Sequence, residues 1–249
     1  VNLASTVIGD AGHDPDHIAV KLDDITLSFA ALDVASAHFA GLLAAHGVQR
    51  GDRVGIMLPN IPHFPVCYYG ALRVGAVVVP MNVLLKRREV AYYLADSGAK
   101  VLFAWEGFAE EATAGAQSAG AECIIVELAG FAALVGAATP DTTVADTADE
   151  DTAVLLYTSG TTGQPKGAEL THANLMSNAE GSRRLFDMGS EAVCLGVLPL
   201  FHSFGQTCVM NATLGAGGTL TLIPRFEPDK ALEVIARDAV NVFQGVPTM

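Results

Sequence analysis

Tyr157-Thr158-Ser159-Gly160-Thr161-Thr162-Gly163-Gln164-Pro165-Lys166-Gly167 decides the reading of this chain. Hydroxyl-bearing residues and glycines come first, then a proline that sets a turn, then a single lysine. Glycines let backbone N–H groups approach anionic oxygens and adopt φ > 0 without steric cost. The hydroxyls of Ser159, Thr161 and Thr162 can donate to a phosphate or sit on a Mg²⁺ ion. Lys166 adds a mobile positive charge at the far end. Just upstream, Ala153-Val154-Leu155-Leu156-Tyr157 reads as a short buried strand. A strand that empties into such a loop is the usual ligand position in an α/β sheet.

A polar surface turn is the plain alternative, since Gly, Ser and Thr cluster in ordinary loops. The preceding strand, the Pro-Lys-Gly ending and the absence of any acidic residue between Tyr157 and Gly167 favour a phosphate cradle. It is not the Walker A loop, which needs Gly-Lys-Ser/Thr after four residues; here Pro165 precedes Lys166 and Gly167 follows it. No Gly-x-Gly-x-x-Gly follows a strand, so the dinucleotide fingerprint is missing as well.

Around the loop, helix and strand patterns alternate. Ser28 can cap a helix with Phe29, Leu32, Phe39, Leu42 and Leu43 at helical spacing, ending near Gly47. Strands are expected at 53–58, 76–79, 100–104 and 123–127, with helices at 63–74, 86–97 and 109–119 between them. The stretch 136–151, rich in Asp and Thr, reads as a solvated connector in preference to a carboxylate metal site. After the loop a helix is expected over 171–187, then strand 193–198, helix 203–214, strand 218–223, helix 228–238 and strand 240–246. Short Val/Ile/Leu-rich strands between helices predict an α/β fold of largely parallel sheets flanked by helices.

The chain is 51% hydrophobic over 249 residues, enough for a sizeable core. Its net charge of −13 argues against nucleic acid and against an anionic membrane surface as partners. No apolar run is long enough for a membrane span. Residues 1–16 do not have the pattern of a signal peptide. Cys67, Cys123, Cys194 and Cys208 are scattered in apolar surroundings and read as reduced thiols of a cytoplasmic protein.

The loop resembles the signature of the adenylate-forming superfamily: acyl-CoA synthetases, firefly-type luciferases and the adenylation domains of peptide synthetases. Four further segments are similar in order and spacing: Leu72–Asn82, Thr171-His172-Ala173-Asn174-Leu175, Pro199-Leu200-Phe201-His202-Ser203-Phe204-Gly205, and Gly245-Val246-Pro247-Thr248-Met249. The resemblance, strongest to the N-terminal half of bacterial fatty-acyl-CoA ligases, implies that Thr158, Ser159, Gly160, Thr161, Thr162, Gly163 and Lys166 hold the phosphates of ATP, with Thr161 on Mg²⁺. It implies coenzyme A as the second co-substrate and is compatible with a homodimer. Full members are roughly twice this length, so a truncated N-terminal domain is expected, without the small C-terminal domain. The superfamily's Mg²⁺-binding glutamate, ribose-binding aspartate and late lysine would then lie beyond Met249. No catalytic residue is therefore assigned within the chain, and the fragment alone is expected to be inactive.

A second constellation concerns the acid. Pro199 to Gly217 carries no charged residue, which suits an apolar acyl chain. Gly205, Gly215 and Gly217 are read as leaving room in that pocket. His202, Ser203, Phe204, Gly205 and Gln206 are the candidate substrate-binding residues. Amino-acid-activating relatives place an aspartate here, because a buried ammonium needs an opposite charge. His202 occupies that motif position, which disfavours an amino-acid substrate. Gln206 stands where some fatty-acyl members carry an aromatic gate. A medium- or long-chain fatty acid is the first expectation. An aryl or short-chain acid is the second, and a nucleotide- or acyl-binding module without turnover the third.

Overall fold

The computed structural model describes residues 1–158, 164–247 and 249. A 3₁₀ turn at Leu3–Thr6 leads into the hairpin β1 (Ile18–Leu22) and β2 (Ile25–Ser28). Then come α1 (Phe29–Ala45), β3 (Arg53–Met57), α2 (His63–Arg73), β4 (Val77–Pro80), α3 (Arg87–Ser97) and β5 (Ala99–Trp105). They are followed by α4 (Ala109–Ala119), β6 (Glu122–Val126) and the short α5 (Phe131–Gly136). Past an irregular connector lie β7 (Thr152–Thr158), β8 (Lys166–Thr171), α6 (His172–Leu185) and β9 (Val193–Gly196). A π-helical run, Phe204–Asn211, continues into α7 (Ala212–Gly215), β10 (Thr219–Leu222) and α8 (Pro228–Arg237).

The strands form two sheets, ordered β6-β5-β3-β4-β7-β8 and β2-β1-β10-β9. Every neighbouring pair is parallel except β7–β8 and β1–β2. Side chains alternate across a strand, so each sheet has two faces to cover. Val54, Ile56, Val78, Val101 and Phe103 of the larger sheet join one core with Val20, Leu220 and Leu222 of the smaller. Phe39, Leu43, Phe64 and Tyr68 of α1 and α2 fill the space between. The opposite face of the larger sheet packs Leu102 and Ala104 on Val90, Leu94, Ala112 and Ala116 of α3 and α4. The opposite face of the smaller sheet packs Leu195, Val197 and Ile223 on Ala231 and Val234 of α8. The layers therefore run helix, sheet, helix, sheet, helix. All residues of α2 are buried, as a helix enclosed between two sheets requires.

Local chemistry explains most boundaries. Ser28 Oγ accepts the Ala31 N–H at 3.2 Å and starts α1. Gly120, at φ +72°, ends α4 in the left-handed conformation. Thr171 and Asn174 make a reciprocal capping box: Thr171 Oγ1 accepts the Asn174 N–H at 3.1 Å, and Asn174 Oδ1 accepts the Thr171 N–H at 3.2 Å. The Thr-His-Ala-Asn segment is thus the start of α6.

His172, between those two caps, is buried, and its Nδ1 accepts the Leu3 N–H at 3.0 Å. Burial pushes its pKa from the usual 6.5 down to about 4. Between those values the unfolded chain takes up a proton that the folded chain refuses. The contribution of His172 is complete above pH 6.5 and is lost as pH falls through that window. The expected loss is about 3 kcal/mol at the acid end. Urea denaturation across the window should show a shallower pH slope for His172→Gln; equal slopes would contradict this assignment.

Five features depart from the sequence reading. The β1–β2 hairpin, α5 and β8 carry no expectation of their own. The helix expected at 203–214 is π-helical over Phe204–Asn211. The strand expected at 240–246 reduces to one bridge, Val242 with Cys194. There Asn241 uses its side chain on the Val193 N–H at 2.8 Å, and Phe243 points outward. Gln244 turns inward to donate to the Cys208 carbonyl at 3.0 Å, so the ladder does not extend. The connector at 136–151 is irregular as expected, although Thr147 within it is buried.

Candidate active site

β7 runs parallel to β4 and leaves the larger sheet at Thr158, and β8 re-enters antiparallel at Lys166. Thr158 pairs with Lys166 and Tyr157 with Gly167, so the two feet of the loop stand side by side. That places the loop past the carboxyl end of a parallel strand, where open α/β sheets hold ligands. Thr158 and the Lys166 side chain are exposed there. Ser159, Gly160, Thr161, Thr162 and Gly163, and with them the Mg²⁺ expectation at Thr161, lie outside the described residues. Among the described residues no three His, Cys, Asp or Glu side chains converge as a metal site.

Helix α3 grips both feet of the loop. Tyr92 Oη donates to the Pro165 carbonyl at 2.8 Å, and Tyr157 Oη donates to Asp96 Oδ2 at 2.6 Å. The Tyr157 ring stacks on Tyr93, with centroids 4.2 Å apart. Burial and the Asp96 carboxylate hold the Tyr157 phenol well above its ordinary pKa, which keeps it a donor. The sequence reading gave Tyr92 and Tyr93 no role, because neither belongs to a motif and both act on residues distant in sequence.

The chain leaves β9 through Val197–Phe201 and enters the π-helical run. Ser203 and Phe204 line a cleft of about 310 Å³ with Leu170, Leu175, Asn178 and Cys208. His202 is exposed beside them. Gly205 and Gln206 are buried and do not line this cleft. Gln206 Nε2 reaches the Leu200 carbonyl at 3.4 Å, and its Oε1 has no hydrogen-bond partner among the described residues. The expectation that Gly205 and Gly217 open a pocket for the acid is corrected. A Cβ at Gly205 would lie 2.3 Å from the Pro199 carbonyl oxygen, so this glycine allows a close backbone approach. Gly217 adopts φ +78° beside His13, away from the cleft. Gly215 lines a different cavity, with Asn211 and Arg183.

The cavity of about 540 Å³ around Arg50, Asp151, Glu169 and His172 adjoins the opposite end of the β7–β8 hairpin. Its charged groups are already engaged, Arg50 with Asp151 at 2.7 Å and Glu169 with the Thr152 hydroxyl at 3.0 Å. All four cysteines are free. Burial raises the pKa of the Cys194 thiol to about 11, away from thiolate reactivity.

The described feet of the loop, Thr158 and Lys166, thus stand paired at the carboxyl edge of the larger sheet. The chain belongs to the AMP-binding enzyme family, whose model matches residues 9–249. It is 30% identical to the long-chain-fatty-acid–CoA ligase of Bacillus subtilis, covering 99% of this chain and 50% of that protein. It is 36% identical to the feruloyl-CoA synthase of an Amycolatopsis species, covering 99% and 49%. The ATP-bound crystal structure of MatB from Rhodopseudomonas palustris superposes with a TM-score of 0.89 at 31% identity, covering 99% of this chain and 49% of that one. The chain thus spans about half the length of the curated relatives it matches. Among the described residues no helix is long and apolar enough to cross a membrane.

Proposed function

We propose that this chain is the N-terminal portion of an AMP-forming acid–thiol ligase and holds the ATP phosphates and the carboxylic acid. Membership of the AMP-binding enzyme family carries this reading, and the exposed Thr158–Lys166 feet at the sheet edge support it. In the reaction, an acid carboxylate oxygen attacks the α-phosphorus of ATP. The new P–O bond forms as the bond to pyrophosphate breaks, giving an acyl-adenylate. A thiolate of coenzyme A then attacks the acyl carbon, and AMP leaves with the electron pair of the broken C–O bond. The chain's own residues act by positioning and charge neutralisation. Thr158, Ser159, Gly160, Thr161, Thr162, Gly163 and Lys166 would hold the phosphates, and Thr161 would hold Mg²⁺, which would supply further neutralisation of phosphate charge. Ser203 and Phe204 line the acid cleft and His202 borders it, with Gly205 and Gln206 behind them.

The acid is read as a medium- or long-chain fatty acid. The uncharged stretch 199–217 and the apolar walls Leu170, Leu175 and Phe204 support this reading. An aryl acid is the second reading, favoured by the higher identity to the feruloyl-CoA synthase. ATP–pyrophosphate exchange by the full-length protein with a panel of acids tests both. Exchange that grows with alkyl chain length supports the first reading, and exchange only with benzoate- or cinnamate-like acids supports the second. No exchange with any acid refutes both.

The α3 grip has its own consequence in that assay. Tyr92→Phe removes the hydroxyl that holds the Pro165 carbonyl and leaves the ring in place. The expected result is a KM for ATP raised about 3- to 10-fold, the equivalent of one hydrogen bond. The KM for the acid should stay unchanged. Equal ATP affinity in variant and wild type would remove Tyr92 from the nucleotide side.

A further inference from the structure

Asn60 lies between β3 and α2 in the sequence Leu58-Pro59-Asn60-Ile61-Pro62 and is only 4% exposed. Its side chain reaches from the larger sheet to the segment leaving the smaller one. Asn60 Nδ2 donates to the carbonyls of Gly196 and Leu198, both at 2.9 Å. Asn60 Oδ1 accepts the Leu200 N–H at 3.0 Å. Two carbonyls and one N–H leave a single sensible orientation of the amide. All three partners belong to the exit from β9, the stretch that delivers Pro199, His202, Ser203 and Phe204. From the other side, Gln206 Nε2 reaches the carbonyl of the same Leu200 at 3.4 Å. Pro59 and Pro62 restrict the backbone on either side of Asn60.

The larger sheet also carries the β7–β8 hairpin and therefore the nucleotide loop. One buried amide thus ties the acid-side segment to the sheet that presents the phosphates. We propose that Asn60 is a positioning residue, setting the acid-binding segment Pro199–Phe204 in register with the nucleotide loop. The inference rests on the function proposed above and assigns Asn60 no contact with substrate. Aspartate cannot serve in its place, because it has no donors and sets a charge against two carbonyls. An apolar residue leaves the Leu198 carbonyl and the Leu200 N–H without their partners, while the Gly196 carbonyl keeps the Ile223 N–H. Bringing two reactants together is sensitive to displacements near 1 Å, so a loosened segment affects the acid before it affects ATP.

The test compares wild type, Asn60→Ala and Asn60→Asp in the full-length protein with two readouts. In ATP–pyrophosphate exchange, the variants should show kcat/KM for the acid lowered about 10- to 100-fold, mostly through KM, with KM for ATP within about twofold. By hydrogen–deuterium exchange, the Leu200 amide should lose its protection while amides of β3 and β4 keep theirs. A parallel rise in both KM values, or none with only a lower melting temperature, marks Asn60 as merely structural and overturns the proposal. So does a Leu200 amide as protected in the variants as in wild type. Wild-type protein that exchanges with no acid sinks the ligase reading, and the positioning role falls with it. The Leu200 readout needs no turnover, so that failure is distinguishable from a failure of Asn60 itself.

Discussion

Arg73→Ala is expected to destabilise the chain by about 3 kcal/mol, measured by urea denaturation. Arg73 stands in the last turn of α2 and is 1% exposed. One guanidinium nitrogen donates to the Thr142 carbonyl of the connector at 2.6 Å. Another donates to the Asp33 carboxylate of α1 and to Ser36 Oγ. The backbone carbonyl of Arg73 also accepts the Ala145 N–H at 2.7 Å. This side chain therefore holds the connector down on the enclosed pair α1 and α2, and the connector leads directly into β7. Alanine leaves a cavity and a carbonyl without its donor. Asp33 is partly exposed and recovers water, which keeps the cost below that of a fully buried pair broken on one side. Arg73 Nε has no hydrogen-bond partner among the described residues, so part of the buried guanidinium is uncompensated already. Arg73→Met keeps volume and removes charge, and should lie well above Arg73→Ala in stability. An alanine variant within about 0.5 kcal/mol of wild type would show that the connector docks without this contact.

The same physics explains what the sequence could and could not reveal. Helices α1, α3, α4, α6 and α8 were legible because their ends carry local chemistry, such as Ser28, Gly98, Gly120, the Thr171–Asn174 box and Pro228. The parallel strands were legible because burial on both faces makes them continuous apolar runs. β8 escaped because Lys166 to Glu169 is exposed and shows no apolar alternation. The β1–β2 hairpin escaped because its turn is Asp23-Asp24, with Asp23 at φ +50°, where glycine or asparagine gives the usual signal. The 240–246 strand was overread because a Val-containing run looks the same with or without a ladder partner. For the site, the loop was legible as a local inventory of hydroxyls, glycines and a lysine. Its supports were not, because Tyr92 and Asn60 act across 73 and 136–140 residues of sequence. Side chain-to-backbone bonds of that kind leave no periodicity and no motif.

Gly205→Ala in the full-length protein is expected to lower kcat/KM for the acid about 100-fold, equivalent to about 2.7 kcal/mol of transition-state stabilisation. The added Cβ would lie 2.3 Å from the Pro199 oxygen, 2.7 Å from the Leu198 oxygen and 2.8 Å from the Pro199 carbonyl carbon. These are backbone atoms, and they cannot swing away as the tip of a side chain can. The Leu198 carbonyl is also held by Asn60, so the strain cannot relax by moving that peptide alone. Either the π-helical run or the Pro199–His202 turn must shift, and both flank the cleft lined by Ser203 and Phe204. Gly215→Ala is the matched control from the same uncharged stretch. Its Cβ would meet only Thr6 Oγ1 at 3.8 Å, an ordinary contact, so activity should stay within about twofold of wild type. Measuring both by acid-dependent ATP–pyrophosphate exchange, with melting temperatures alongside, separates two explanations for a glycine-rich segment. If the glycines serve pocket volume, Gly205→Ala and Gly215→Ala should alter the preferred acid to similar extents. If Gly205 serves the close approach of two backbones, only its variant collapses, for every acid in the panel and with KM for ATP retained.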